Sequence, residues 1–175
     1  MKLIFLGTGD SFCSDGRGST SILVESESTV RLLDCPPQIV HALRSNGRRP
    51  NDVNYALISH LHGDHVVGLV FLAECLLYRD KGSMAIFGPK GLESLIYNLH
   101  HRVFSKTNLS NVLNFLSELS GLPFDCSTSR GVHSPPDTIY RLELELVGVG
   151  DDLGQCECRR RKSFQDAVVT NRGCR

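Results

Sequence analysis

The chain has 175 residues, of which 41% are hydrophobic, so it is long enough for one globular domain with a sizeable core. Its 19 basic and 19 acidic residues cancel, and net charge therefore gives no indication of a nucleic-acid or membrane-surface partner. No run approaches the roughly 20 apolar residues of a membrane span, and seven irregularly spaced cysteines argue against a secreted disulfide framework. We expect a cytoplasmic protein with no membrane partner.

The predicted elements change along the chain from short strands to a mixture of strands and helices. This order indicates an α/β layered domain with a mixed sheet, although it does not assign the strand order. The predicted strands are 2–6, 21–25, 29–33, 54–59, 84–87 and 138–147, and the predicted helices are 37–45, 66–78, 92–104 and 111–119.

Two loops among the first strands have recognisable sequence signals. The polar turn 26–28 between two short strands predicts a hairpin. Residues 7–18 are rich in glycine, serine and aspartate, which predicts a loop. Its Gly-Thr-Gly start lacks the remaining residues of a phosphate-binding loop, so we interpret it as a turn near the active-site face.

A histidine-rich run directly follows the fourth predicted strand. His60 and His62 are two residues apart on an extended segment, so their side chains can point the same way. Gly63 permits a sharp turn, after which Asp64 and His65 can reach a second ion. Because imidazole and carboxylate groups are common metal ligands, the run predicts a binuclear metal site. A chance match to this pattern is expected in roughly one sequence per thousand.

The run resembles the His-x-His-x-Asp-His signature of the metallo-β-lactamase-fold hydrolases. Residues 5–10 and 32–35 are similar to the opening strand and to the aspartate that ends the second strand in that superfamily. The sequence 62–65 followed by Gly68-Leu69 is typical of the branch that contains the tRNA 3′-processing endonucleases. The resemblance covers residues 1–147 and implies an α/β fold, the metallo-β-lactamase-type αββα sandwich, with an incomplete C-terminal half.

The resemblance also implies roles for the residues of the run. His60 and His62 match ligands of a first metal ion, while Asp64 and His65 match ligands of a second. Asp34 matches the acidic residue that braces the metal loop through hydrogen bonds. The implied cofactors are two divalent ions, with zinc favoured by the imidazole-rich set and manganese or iron as alternatives.

Two further ligands are implied downstream. His133, in a loop before the predicted strand 138–147, matches the third histidine of the first metal; an ordinary loop histidine is the alternative. Asp151 is the candidate for the bridging aspartate, although it lies closer to His133 than the family pattern has it. No histidine follows His133, so the second metal site is expected to be incomplete.

The last part of the chain differs in composition. Residues 156–175 contain six basic and two acidic residues, so we expect a metallo-β-lactamase-like domain at 1–147 and a divergent, flexible basic tail at 148–175. A truncated or frame-shifted gene product and a specialised tail both explain this change. Cys156, Cys158 and Cys174 have poor spacing for a zinc finger.

The resemblance implies a metal-dependent hydrolase that uses a metal-activated water, with Asp64 orienting the nucleophile and accepting its proton. Phosphodiesters, as small molecules or nucleic acid and including RNA 3′ ends, are the expected substrates, and a homodimer is the expected assembly. The mildly acidic main body and the lack of a tRNA-gripping arm argue against a dedicated tRNA enzyme. The alternatives are an ester or lactone hydrolase of the same fold and a degenerate, truncated protein without turnover.

Overall fold

The computed structural model describes residues 1–116, 126–130 and 138–142. Its centre is a six-stranded mixed sheet in which the strand order follows the chain. A separate antiparallel pair is formed by two later strands. The strands are β1 Lys2–Gly7, β2 Ser21–Glu25, β3 Val30–Leu33, β4 Tyr55–Leu57, β5 Met84–Phe87 and β6 Leu113–Leu116 in the large sheet, and β7 Cys126–Arg130 and β8 Thr138–Leu142 in the pair.

The direction of the strands determines where the loops meet. β1, β2 and β3 pair antiparallel, whereas β3, β4, β5 and β6 all run parallel. Because the carboxyl ends of parallel strands lie at one edge of a sheet, the residues that follow β3 and those that follow β4 are brought side by side. This edge is where the histidine-rich run lies.

The helices cover one face of the large sheet. Alternate strand residues, such as Leu23, Leu32 and Ile86, form one buried cluster with helix residues such as Leu69 and Ile96. No helix in the described ranges is long and apolar enough to cross a bilayer. The helices are α1 Ile39–Ser45, α2 Gly63–Val66, α3 Gly68–Glu74, which continues into a π-helical turn Cys75–Arg79, and α4 Leu92–Val103; short 3-10 turns occupy Ser14–Gly16 and Pro50–Asp52.

Most predicted elements are confirmed. The hairpin between β2 and β3, strand 84–87 and the helices ending near residues 45 and 103 are observed, whereas the strand predicted at 54–59 is shorter. The helix predicted at 66–78 begins earlier and is interrupted, because the Gly68 N–H donates to the Cys35 carbonyl oxygen (2.9 Å) instead of continuing the helical ladder. Of the predicted strand 138–147, residues 143–147 lie outside the described residues, as do the tail 148–175 and its boundary.

The helix predicted at 111–119 is wrong in the part that is described. Residues 113–116 form β6, which pairs parallel with β5 through registers such as Met84 with Leu113. A short apolar run cannot be assigned to helix or strand by periodicity alone. Here the open edge of β5 offers unpaired backbone groups, and pairing with it stabilises the extended form.

Gly68 allows α3 to approach the loop after β3 closely. A Cβ at this position would lie 2.2 Å from the Pro36 carbonyl oxygen and 2.7 Å from that of Cys35. Both contacts involve backbone atoms, which cannot rotate away as a side chain could. The close packing of α3 against the loop after β3 therefore requires glycine at position 68.

We expect Gly68→Ala to lower the free energy of unfolding by about 1–3 kcal/mol or more, because the added methyl group forces α3 away from the loop. Urea denaturation followed by circular dichroism measures the change. Gly63→Ala is the control, since its Cβ would meet Val67 at an ordinary 3.5 Å. Equal effects of the two substitutions would contradict this reading of the contact.

A bidentate ion pair joins β2 to the loop after α1. The Arg48 guanidinium donates to both carboxylate oxygens of Glu25, with its Nη2 2.8 Å from Oε2. These hydrogen bonds hold the pKa of Glu25 below its ordinary value, although partial burial opposes the shift. A depressed carboxyl pKa contributes stability above the unfolded-state pKa, and this contribution is lost as the pH falls through the folded-state pKa.

We therefore expect Glu25→Gln to lower the denaturation midpoint at pH 7 and to have progressively less effect as the pH falls through the depressed pKa of Glu25. The midpoint is measured across acidic and neutral pH against wild type. Glu27→Gln, at an exposed turn position, is the matched control and should have little effect. A Glu25→Gln deficit that does not change with pH would exclude the ion pair as its cause.

Candidate metal centre

Asp34 lies directly after β3, at the carboxyl edge of the parallel strands. Its φ of 58° places it in the left-handed region, which aspartate tolerates better than most residues. The Asp34 N–H donates to the Leu57 carbonyl oxygen at 2.9 Å, and the Ser21 hydroxyl donates to the Asp34 carbonyl oxygen at 2.8 Å. These bonds to two neighbouring strands fix the backbone that carries the Asp34 side chain.

The Asp34 carboxylate accepts hydrogen bonds from the loop after β4. The Ser59 N–H donates to Oδ1 at 2.7 Å, and the Ser59 hydroxyl lies 2.8 Å from Oδ2 and 2.9 Å from Oδ1. His65 Nδ1 is 2.8 Å from Oδ2. The family resemblance implies that Asp34 braces the loop, and these hydrogen bonds are the contacts that such a role requires.

The network determines which ring nitrogens carry protons. Because a carboxylate only accepts, His65 Nδ1 donates to Asp34. The Ser59 hydrogen is used on Asp34, so His60 Nδ1 donates to Ser59 Oγ at 2.9 Å. In the neutral rings, Nε2 of both histidines is then the nitrogen without a proton, and an unprotonated ring nitrogen is the form that binds a metal ion.

The four residues of the run form two pairs of donor atoms. His60 Nε2 lies 3.1 Å from His62 Nδ1, and His65 Nε2 lies 3.4 Å from Asp64 Oδ2. Two ligands of one tetrahedral zinc ion are about 3.3 Å apart, so both separations fit atoms that share an ion. The His60 and His65 rings are 4.0 Å apart between centroids, which places the two pairs side by side.

The described residues supply pairs of ligands and no larger set. Within them, no group of three or more histidine, cysteine, aspartate or glutamate side chains could hold one ion. The predicted ligands His133 and Asp151 lie outside the described residues. Asp64 and His65, which were expected on a turn, lie in the single helical turn α2.

Ser11 contacts the site from a distant part of the sequence. Its hydroxyl donates to Asp64 Oδ2 at 2.8 Å across a separation of 53 residues. Burial would raise the pKa of the Asp64 carboxyl, but the Ser11 hydrogen bond and the charge of His65 outweigh it and lower that pKa. Asp64 is therefore held in its ionised, metal-binding form. The loop that was predicted to form a turn near the active-site face thus contacts Asp64, but no sequence signal distinguishes Ser11 from its neighbouring serines.

The loop that carries Ser11 is anchored through glycines. A Cβ on Gly7 would lie 2.2 Å from the Ser19 carbonyl oxygen, and one on Gly9 would lie 2.4 Å from that of Arg17. The Gly9 N–H donates to the Gly18 carbonyl oxygen at 2.8 Å. The two sides of the loop can therefore close on one another, which directs the tip with Ser11 towards α2.

Two curated proteins are similar to this chain in sequence. Ribonuclease Z of Methanococcus maripaludis is 29% identical over 97% of this chain and 60% of its own length. Ribonuclease Z of Bacillus subtilis is 30% identical over 71% of this chain and 41% of its own length. The chain thus spans 60% or less of the length of these relatives.

Solved structures show the same architecture. The short form of human tRNase Z superposes with a TM-score of 0.67 at 22% identity, over 85% of this chain and 66% of that one. The metallo-β-lactamase-fold protein YhfI of Bacillus subtilis gives 0.64 at 15% identity, over 80% and 57%. This chain therefore has the metallo-β-lactamase fold. The family model described as anti-Pycsar protein Apyc1 matches residues 1–117, and the chain belongs to that family.

Proposed function

We propose that this chain is a metal-dependent hydrolase that cleaves phosphodiesters with an activated water. The observation that carries the proposal is the pair of imidazole Nε2 atoms, on His60 and His65, that the Asp34 and Ser59 hydrogen bonds orient as metal ligands. His62 and Asp64 each add a second donor at a separation that fits a shared ion.

His133 and Asp151 complete the proposed ligand set from the part of the chain outside the described residues. His133 would give the first ion a third imidazole, and Asp151 would bridge the two ions. Zinc suits a set rich in imidazole, with manganese or iron as alternatives. A homodimer and a cytoplasmic location stay predictions, which sedimentation and cell fractionation check.

The phosphodiester substrate class is supported by the relatives. The two curated relatives named above are ribonucleases by name, and a similar fold is found in a diphosphatase of the PhnP family, with a TM-score of 0.60 at 16% identity. All of these names describe cleavage at phosphorus. RNA is accordingly the polymer substrate that we propose, with small phosphodiesters as the simpler case.

Bound divalent ions would supply a water of lowered pKa and stabilise the charge that develops on the phosphoryl oxygens. Asp64 lies beside His65 at the start of α2, where its ionised carboxylate can orient the attacking water and accept its proton. Ser11 holds one oxygen of that carboxylate and so fixes its direction. Asp34 and Ser59 keep the histidine rings in the orientation and tautomer that bind metal.

A protein without turnover is the alternative that a specific observation favours. The described residues provide two donors per ion and no group of three or more that could hold one. No histidine follows His133 in the sequence to close the second site. An ester or lactone hydrolase of the same fold would use the same donors. Metal content separates the first alternative from an enzyme, and the choice of substrate separates the second.

We expect the purified chain to contain two metal ions and to hydrolyse bis(p-nitrophenyl) phosphate faster than p-nitrophenyl acetate. His62→Ala should remove one donor of the first ion, reduce the metal content and lower kcat at least about 100-fold. Elemental analysis and steady-state kinetics measure both. His41→Ala, an exposed histidine on α1, is the control and should change neither. At most one metal per chain together with no turnover would refute the enzyme.

The hydrogen bonds that the Asp34 carboxylate accepts lead to a second prediction, which concerns metal affinity. Asp34→Asn keeps the size of the side chain but replaces one acceptor oxygen with a donor, so it cannot accept from both Ser59 and His65 as the carboxylate does. Metal affinity, measured by chelator competition, should fall about 10–100-fold. Asp52→Asn, in a 3-10 turn at the other end of β4, is the control. Unchanged affinity in Asp34→Asn would show that the carboxylate does not orient the ligands.

A further inference from the structure

A pocket lined by arginines lies at the opposite end of the sheet from the metal centre. It has a volume of about 530 Å³. The α1 helix and the loop after it connect the carboxyl end of β3 to the amino end of β4, whereas the histidine-rich run follows the carboxyl end of β4. The pocket is therefore separate from the proposed catalytic site. Its lining residues are Arg44, Gly47, Arg48, Arg49, Arg79 and Asp80.

The end of α1 brings three of the arginines together. The Gly47 N–H donates to the Arg44 carbonyl oxygen at 3.0 Å, and the Arg48 N–H donates to the Leu43 carbonyl oxygen at 2.9 Å. This is the Schellman arrangement, and Gly47 provides its left-handed residue with a φ of 70°. The chain reverses direction at Gly47. Arg44, in the last turn of α1, and Arg48 and Arg49, which follow Gly47, therefore line the same pocket.

Two of the four guanidinium groups are held in place by carboxylates. Arg44 pairs with Asp80 at 3.2 Å, and Arg48 pairs with Glu25. Arg49 and Arg79 have exposed side chains and pair with no carboxylate among the described residues. The pocket therefore combines two guanidinium groups that are paired with carboxylates and two that have no carboxylate partner among the described residues.

The local charge favours an anion. Four guanidinium groups against Asp80 and Glu25 leave two positive charges, and the opposite charges of Asp52, which acts on Arg48, and Lys2, which acts on Glu25, cancel. The ends of α1 and of the helical run that ends at Arg79 each contribute about half a negative charge, so roughly one positive charge is left over. The partial negative charges at the ends of the two helices therefore balance only part of the positive charge of the four arginines. Guanidinium groups match the planar geometry of phosphate oxygens, which they bind in pairs.

We propose that this arginine pocket binds a phosphate group, held principally by Arg49 and Arg79. The phosphate can belong to a free anion or to the backbone of a polynucleotide, since both present the same oxygens to the guanidinium groups. Binding here does not depend on the hydrolysis proposed above. The inference can therefore fail or succeed independently of that activity.

The test uses the metal-loaded full chain and two probes: inorganic phosphate in calorimetry, and a short single-stranded phosphorothioate oligonucleotide, which resists hydrolysis, in fluorescence anisotropy. We expect Arg49→Ala/Arg79→Ala to bind one or both probes at least about tenfold more weakly than wild type. Hydrolysis of bis(p-nitrophenyl) phosphate should be unchanged, because neither arginine lies at the metal centre. Arg102→Ala, an exposed arginine of α4 outside the pocket, is the matched control.

The outcomes separate the sources of the phosphate. Weakened binding of inorganic phosphate in the double variant assigns a free anion to the pocket, and weakened binding of the oligonucleotide alone assigns a polymer backbone. Arg49→Lys/Arg79→Lys keeps the charge but loses the paired geometry, so it should bind with intermediate affinity. Equal binding by wild type and Arg49→Ala/Arg79→Ala, or no binding of either probe by wild type, overturns the proposal.

Discussion

The carboxylate of Asp34 is the contact on which the rest of the site depends. It receives hydrogen bonds from Ser59 and from His65, and so joins the end of β3 to the loop after β4 and to α2. The left-handed backbone at this position costs on the order of 1–3 kcal/mol. The hydrogen bonds of its N–H to Leu57 and of its carbonyl oxygen to Ser21 offset that cost. The strained backbone of Asp34 thus directs its side chain towards Ser59 and His65.

The same edge of the sheet also requires α3 to lie close to the loop after β3. The Cys35 N–H donates to the His65 carbonyl oxygen at 2.7 Å, and the Gly68 N–H donates to the Cys35 carbonyl oxygen. These two bonds hold the short turn α2 between the loop and α3. The interruption of the helix at Gly68 is therefore what allows Asp64 and His65 to face the site while the apolar residues of α3 stay in the core.

Local sequence patterns predicted much of this arrangement and could not predict its long-range part. The strands around the hairpin have apolar residues on the face towards the helices, and the four ligands of the run are adjacent in sequence. By contrast, β6 depends on the open edge of β5, which a short apolar run does not reveal. Ser11 reaches Asp64 only because the sheet brings β1 and α2 to the same edge. Such contacts follow from topology, which a single sequence does not specify.

Net charge does not describe the local distribution of charge, for the same reason. The 19 basic and 19 acidic residues cancel over the chain, yet the described part gathers four arginines around one pocket. The field that a ligand meets depends on which charges share a concave surface, and distant charges are screened over about 8–10 Å. The α3 helix and its π-helical turn, from Gly68 to Arg79, span roughly 18 Å at 1.5 Å per residue. Screening by the solvent therefore weakens the effect of a phosphate bound in the pocket on a substrate at the metal centre.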